Sequence, residues 1–337
     1  MLDYGLLERL CKADAPSGFE EEVREIVISE IKDYADEITV DNMGNVLVFK
    51  KGRATPKKKL LLSAHMDEVG FIVTDIKSDG TLKFASVGGI NDTAVFAKQV
   101  KVGKNKISGV VNAKPIHLSS ADERKKVPPM DSLCIDIGAK DRKDAENYIS
   151  LGDMITFDSP FENKNGTIIS KAIDDRFGCL VLIEMIKSDL PFDMYFGFVV
   201  QEEIGLRGAK AAAYTVNPDC AIVVEATTAA DVPFAEDEKR VCLVGGGAVV
   251  SHMDRSTIYD KEYYKIAMSA NTKTQTKTMI AGGNDAGAIH CSRNGVRTIA
   301  VSVPCRYIHS SSSLASVDDM ESVLEVVRYT AEKILSE

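Results

Sequence analysis

Five apolar runs of strand length in this sequence each end on a histidine or a carboxylate. LLLSA stops at His65, IISKAI at Asp174 and Asp175, MYFGFVVQ at Glu202 and Glu203, CAIVV at Glu225, and TIAVSVPCRYI at His309. Successive strand side chains point to opposite sides, so a run that is apolar at nearly every position is covered on both faces. Helical stretches between the runs, such as FGCLVLIEMIKS, supply that cover. Strands alternating with helices predict an α/β fold, a largely parallel sheet flanked by helices. Open sheets of this kind bind ligands outside the carboxyl ends of their strands, which is where these ionisable residues fall.

A second region interrupts the pattern. From about residue 70 to 160, short segments such as GTLKFASVGG and DMITFDS alternate with glycines and charges, which predicts a β-rich insertion. The expected boundaries are 1–67 and 163–337 for the α/β domain and 68–162 for the insertion. Several local features are expected. SGFEEEVREIVISEI should be a helix with Ser17 and Glu20 at capping-box spacing. EITVDNMGNVLVFK should be a hairpin turning at Asn42–Asn45, and KKGRATPKKK a solvated hairpin turn. ADERKKVPPMD should be an exposed loop, and SVDDMESVLEVVRYTAEKIL a capped C-terminal helix.

Composition narrows the function. The net charge of −9 argues against nucleic acid or an anionic membrane as the main partner, since both reward a basic face. No charged-then-apolar leader opens the chain, and no apolar run approaches the ~20 residues of a membrane span. Seven scattered cysteines form no C-x-x-C pair, so a reduced, cytoplasmic protein is expected. GGG at 245–247 lacks the spacing of a dinucleotide or phosphate-loop fingerprint.

The strand ends carry the chemistry. A single acid at a strand end is most simply solvated or a helix cap, as Asp175 would be for the helix after it. Five such ends together are another matter, because buried like charges need a counterion. Two of the chain's five histidines sit there, and imidazole with carboxylate suits zinc, cobalt or manganese. His65 and Asp67, two apart, should share a strand face, with the carboxylate orienting the imidazole. Glu202 and Glu203, one apart, should face opposite ways, so one is expected to bind metal and the other to act as general base toward a water.

AHMDEVG, KAIDDRFGC, QEEIGLRGA, VVEATTAAD, GGNDAG and RYIHS together resemble, over essentially the whole chain, the di-metal aminopeptidases that assemble as tetrahedral dodecamers. These are glutamyl and leucyl aminopeptidases, some once described as endoglucanases. The resemblance implies two divalent cations per subunit, zinc or cobalt before manganese. His65 and Glu225 would hold one, Glu203 and His309 the other, and Asp174 would bridge them. Glu202 would be the general base and Asp67 the partner of His65. The insertion would be a dimerisation domain in a homo-dodecamer built from dimers, and the substrates short peptides with a free N-terminus.

Three departures from the family pattern stand out: Glu225 where many members carry Asp, Asn284 in GGNDAG where many carry Thr, and HSSSSLAS after the histidine. Asn284 should still cap the next helix. His117 and His290 are expected to be structural or exposed, and His252 to lie near the side-chain pocket. Two other functions are set against the aminopeptidase. A metal-independent glycoside hydrolase would need two carboxyls flanking a sugar bond and gives the histidines no task. An inactive peptide-binding assembly would follow if the departures disabled the site.

Overall fold

The computed structural model describes residues 1–112, 114–233 and 235–337. The strands are β1 Glu37–Val40, β2 Val46–Lys50, β3 Leu60–His65, β4 Gly70–Ile76, β5 Leu82–Val87, β6 Gln99–Val102, β7 Ile107–Val111, β8 Ile135–Asp136 and β9 Met154–Phe157. They continue with β10 Glu162–Lys164, β11 Thr167–Ser170, β12 Met194–Val199, β13 Cys220–Thr228, β14 Ala248–Val250, β15 Thr274–Thr276, β16 Arg297–Arg306 and β17 Ser313–Ser316. They form two sheets. One has eleven strands in the order β1-β2-β12-β3-β13-β16-β17-β11-β10, with β14 on β16 and β15 on β14; the other is a closed barrel, β4-β5-β8-β7-β6-β9.

The large sheet is mixed rather than largely parallel. β12, β3, β13 and β16 run parallel side by side, and β15 lies parallel to β14 at one side. Antiparallel strands β2 and β17 flank them, and β1, β11 and β10 extend the edges. All six residues of β3 and the first eight of β13 are buried. Since neighbours alternate faces, the sheet is covered on both sides. The helix Ile173–Lys187 packs on β3 and β13, and the C-terminal helix Val317–Ser336 packs on β16. Two local expectations fail. KKGRATPKKK is not a hairpin turn, because β12 inserts between β2 and β3 and the segment crosses over it. The C-terminal helix has Ser316 at its N-cap, but that side chain makes no capping bond. The β1–β2 hairpin forms as expected, and 121–131 is mostly exposed.

The barrel has its own core, in which Phe71 meets Phe84 and Phe157 edge-on at 5.1 and 5.3 Å. It is fastened to the large sheet by buried ions. Asp14 accepts from Thr156 Oγ1 of β9 at 3.0 Å and from Lys171 Nζ at 2.9 Å, and the barrel's Lys106 approaches its other oxygen at 3.0 Å. Lys171 also donates to Glu68 at 2.8 Å, and Arg176 joins Glu68 at 3.2 Å. Burial would raise the Asp14 carboxyl, but Lys171, Lys106 and Lys101 outweigh it and hold the group well below the usual range. The seven cysteines are free, and only Cys291 is exposed. Among the described residues no helix is long and apolar enough to cross a membrane.

Removing one member of a buried ion cluster strands the others. Lys171→Ala should therefore cost about 3–5 kcal/mol of stability by urea denaturation. A loss within the ~1 kcal/mol of a surface pair would show that the cluster does not fasten the fold.

Candidate metal centre

The four parallel strands deliver their carboxyl ends to one edge of the sheet. His65 is the last residue of β3 and lies level with Val199, the last of β12. Glu225 lies within β13, opposite Ser302 of β16. The other residues come from turns beyond the strands. Gln201 and Leu206 take left-handed backbone conformations, with φ of 57° each, and fold Glu202 and Glu203 back over the strand ends. Gly208 closes this turn, since a Cβ there would stand 2.3 Å from the Val200 carbonyl oxygen. The two glutamates are thus separated by a turn, not by the alternate faces of a strand. Asp174 is likewise not at a strand end. β11 stops at Ser170, and Asp174 sits in the first turn of the following helix with non-helical φ/ψ. Asp175 behaves as a cap, accepting the Gly178 N–H at 2.9 Å and the His65 N–H at 3.3 Å.

The expected residues converge. His65 Nε2 stands 3.4 Å from Asp174 Oδ1 and 4.0 Å from Glu225 Oε2. His309 Nε2 stands 3.5 Å from Asp174 Oδ2 and 3.2 Å from Glu203 Oε2. Potential ligand atoms fall into the sets His65–Asp174–Glu225 and Asp174–Glu203–His309, with Asp174 in both, and a third set joins His65 to Glu202 and Glu203. Each imidazole turns Nε2 inward by anchoring Nδ1. His65 Nδ1 faces the Asp67 carbonyl at 3.1 Å and Asp67 Oδ1 at 3.4 Å, and His309 Nδ1 faces the Gly89 carbonyl at 2.9 Å. An outward Nδ1–H on a carbonyl leaves Nε2 as the free base a metal needs.

Asp67 lies past the end of β3, so a shared strand face is not what aims it at His65. It accepts from Ser17 Oγ at 2.6 Å and from the Glu202 and Glu203 N–H groups at 3.0 and 3.1 Å. Ser17 therefore forms no capping box. Its partner at that spacing, Glu20, instead accepts from the Gly18 and Gln201 N–H groups, and burial pushes its carboxyl up to about 7.

The electrostatics call for a cation. Asp174 Oδ1, Glu203 Oε1 and Glu225 Oε1 are buried without a hydrogen-bond partner, an arrangement that persists only with a counterion. Burial holds the Glu225 and Glu202 carboxyls well above the usual range and raises Glu203. Asp174 is lowered despite its burial by the imidazoles of His309 and His65. Burial alone would lower both imidazoles, but the carboxylates prevail. Asp174 and Asp67 hold His65 well above its ordinary value, and Asp174 and Glu203 bring His309 to about 11. The donor set, imidazole plus carboxylate with two triads sharing one aspartate, fits divalent cations.

Sequence reasoning missed Ser17, Glu20, Gly89 and Asp285. Asp285 follows Asn284 at the start of a short helix and is fully buried with both carboxyl oxygens unpartnered. Burial, with Asp67 and Glu203 nearby, brings it to about 7. Its only signal was its place in GGNDAG. Asn284 is not the expected helix cap: Asp285 occupies the N-cap position without a side-chain capping bond, and Asn284, one residue earlier, accepts the Ala286 N–H at 2.9 Å. His117 is exposed, His290 Nδ1 faces the Ala286 carbonyl, and His252 packs edge-on against Tyr264. None of these three lines the cleft of about 140 Å³ beside Glu202 and Glu225.

A mixed α/β sheet with a barrel beside it and paired His/carboxylate triads at its strand ends defines a metallohydrolase class. The chain belongs to the M42 glutamyl aminopeptidase family, whose model matches residues 44–326. It is 38% identical to a putative aminopeptidase of Acetivibrio thermocellus, covering 96% of this chain and 97% of that one. The TET aminopeptidase of a marine-sediment Thaumarchaeota archaeon has the same fold, with a TM-score of 0.91 and 36% identity over 97% of this chain and 94% of that one. The TET1 peptidase of Pyrococcus horikoshii, described as able to assemble into a tetrahedron or a large octahedral shell, matches with a TM-score of 0.86 and 33% identity over 97% and 98%. The protein is an aminopeptidase, a hydrolase of peptide bonds. The glycoside-hydrolase alternative is set aside, since the family is a peptidase family.

The surrounding carboxylates raise the proton affinity of both imidazoles against the effect of burial, and ligation requires their neutral form. Cation affinity should therefore rise with pH. Calorimetric titration of zinc into chelator-treated protein should show proton release and an affinity gain of at least about tenfold per unit from pH 6 to 8. A flat profile would contradict the assignment.

Proposed function

We propose that the protein removes the N-terminal residue from short peptides at a site holding two divalent cations, zinc or cobalt before manganese. His65, Asp174 and Glu225 would hold one and Asp174, Glu203 and His309 the other. The single observation that carries this reading is the pair of triads meeting on Asp174. Bound cations would polarise the scissile carbonyl and acidify a water. Glu202 is the general base. It lines the cleft beside Asp174 and Glu225, and its raised proton affinity suits a group that takes a proton from the attacking water and passes it to the leaving amine. Asp67 positions His65 and the backbone of both glutamates. The excess of carboxylate over imidazole at the inner end of the cleft favours a substrate with a free, cationic amine.

The segment 68–162 is read as an inserted dimerisation domain, with 1–67 and 163–337 as the catalytic domain. Exposed Val110, Leu118, Val127, Tyr148 and Leu151 on the insertion support an interface. By likeness to the TET peptidases, the dimers would build a homo-dodecamer. Free cysteines support a reducing, cytoplasmic location.

Release assays on aminoacyl nitroanilides and their N-acetylated counterparts test the reading. Cleavage of free-amine substrates alone, lost on chelation and restored by cobalt or zinc, is expected. Absence of cleavage with every metal would favour an inactive peptide-binding assembly. Glu202→Gln should lower turnover by about 10²–10⁴ while cation content, measured by elemental analysis, stays the same. Loss of the cations in that variant would contradict the division of labour between Glu202 and Glu203.

A further inference from the structure

Resting on the aminopeptidase reading, we propose that a second cavity, which shares His309 with the cleft, receives the leaving end of the peptide, and that Lys98 there binds its terminal carboxylate. This cavity of about 550 Å³ has Ile308 and His309 in common with the cleft that holds Glu202 and Glu225. Its size falls within the ~300–1,000 Å³ of ligand sites generally. Of the residues assigned to the cations, His309 has the most open side chain, 36% exposed against 12% or less for the others. The centre is therefore open toward this cavity.

The two spaces differ in charge. Asp174, Glu202 and Glu225 line the cleft, whereas among the described residues no carboxylate lines the second cavity, and Lys98 is its one basic side chain besides His309. Lys98 directly precedes β6 and its backbone is held: its N–H donates to the Val95 carbonyl, and its own carbonyl accepts the Val111 N–H at 2.9 Å. The half-buried ammonium makes no hydrogen bond and has no carboxylate within 4.0 Å among the described residues. Asn91 uses its side-chain oxygen to accept the Thr93 N–H and hydroxyl, which leaves its amide NH₂ as a free donor. The turn between β16 and β17 forms another wall. There Ser310 Oγ donates to the Tyr307 carbonyl at 2.7 Å, and Ser159 Oγ donates to the Ser311 carbonyl, so the wall is pinned rather than loose.

A short peptide is a zwitterion, an ammonium at one end and a carboxylate at the other. The acidic cleft takes the first end, and a scissile carbonyl placed beside the triads sends the following residues past His309. The terminal carboxylate then meets a lysine and neutral donors in charge-assisted hydrogen bonds, with no anion to repel it. An amidated end lacks the charge, and a longer peptide carries its carboxylate beyond Lys98. The cavity thus reads chain length as well as a free end. Lys98 is a specificity residue and takes no part in the chemical step.

The test uses the whole chain loaded with cobalt and compares kcat/KM for leucyl and glutamyl oligoalanines, from dipeptide to hexapeptide, with that for their C-terminal amides. Free acids should lead their amides by about three- to tenfold, through KM rather than kcat, with the lead greatest at one chain length and fading in longer peptides. Lys98→Met should bring each free acid down to the level of its amide, and Lys98→Arg should keep most of the lead. Equal rates for acid and amide in the unaltered protein would overturn the assignment while leaving the aminopeptidase intact. So would a lead that is the same at every length, the mark of the protein's overall field, or an equal fall on acid and amide in Lys98→Met, the mark of a purely structural lysine. No cleavage of any peptide would overturn both.

Discussion

The carboxylate of Asp67 is the constraint on which the rest of the site depends. It faces the imidazole of His65 and receives Ser17 Oγ and the backbone N–H groups of Glu202 and Glu203. One buried side chain thereby fixes the tautomer of a histidine, the path of a turn and the position of an N-terminal segment. Burial raises its pKa and the His65 imidazole lowers it, with the lowering dominant, so it stays ionised where an uncompensated carboxylate would not. Without that anion the turn after β12 would leave the Glu202 and Glu203 N–H groups unpaired and the two glutamates without their shared anchor.

Around this anchor the fold gathers like charges that would otherwise repel. Asp174, Glu202, Glu203, Glu225 and Asp285 crowd one sheet edge with only two imidazoles to answer them. Buried carboxylates in such numbers draw protons or cations, and the depressed Asp174 beside raised Glu225 and Glu202 shows the charge already unevenly shared. A second ion cluster, of Asp14, Glu68, Lys171 and Arg176, is internally balanced; Glu68 directly follows Asp67 in sequence, and Lys171 and Arg176 flank Asp174 within three residues. The two clusters divide the work: the balanced one holds barrel and sheet together, and the acidic one is left hungry for counter-charge.

Much of this was legible in the sequence because burial writes itself into strands. His65 and Glu225 announce themselves as ionisable residues in runs that are otherwise apolar, and the barrel's short segments differ visibly from the α/β pattern. Strand direction leaves no such mark. β2 reads like any other strand, and only the insertion of β12 beside it makes it antiparallel and turns KKGRATPKKK into a crossover. Ser17 and Glu20 show why local rules fail at sites. Their spacing suits a helix cap, but a buried carboxylate 50 residues away claims the serine and a turn near residue 201 claims the glutamate. Gly89 orients His309 through a backbone carbonyl, a contact that no side-chain pattern encodes.

The measurement that bears most directly on the two-cation centre is anomalous X-ray diffraction from crystals grown with zinc. Two peaks about 3.5–4 Å apart, both beside the Asp174 carboxylate, with His65 and Glu225 on one and Glu203 and His309 on the other, are predicted. A single peak, or peaks that leave Asp174 unshared, would contradict the account.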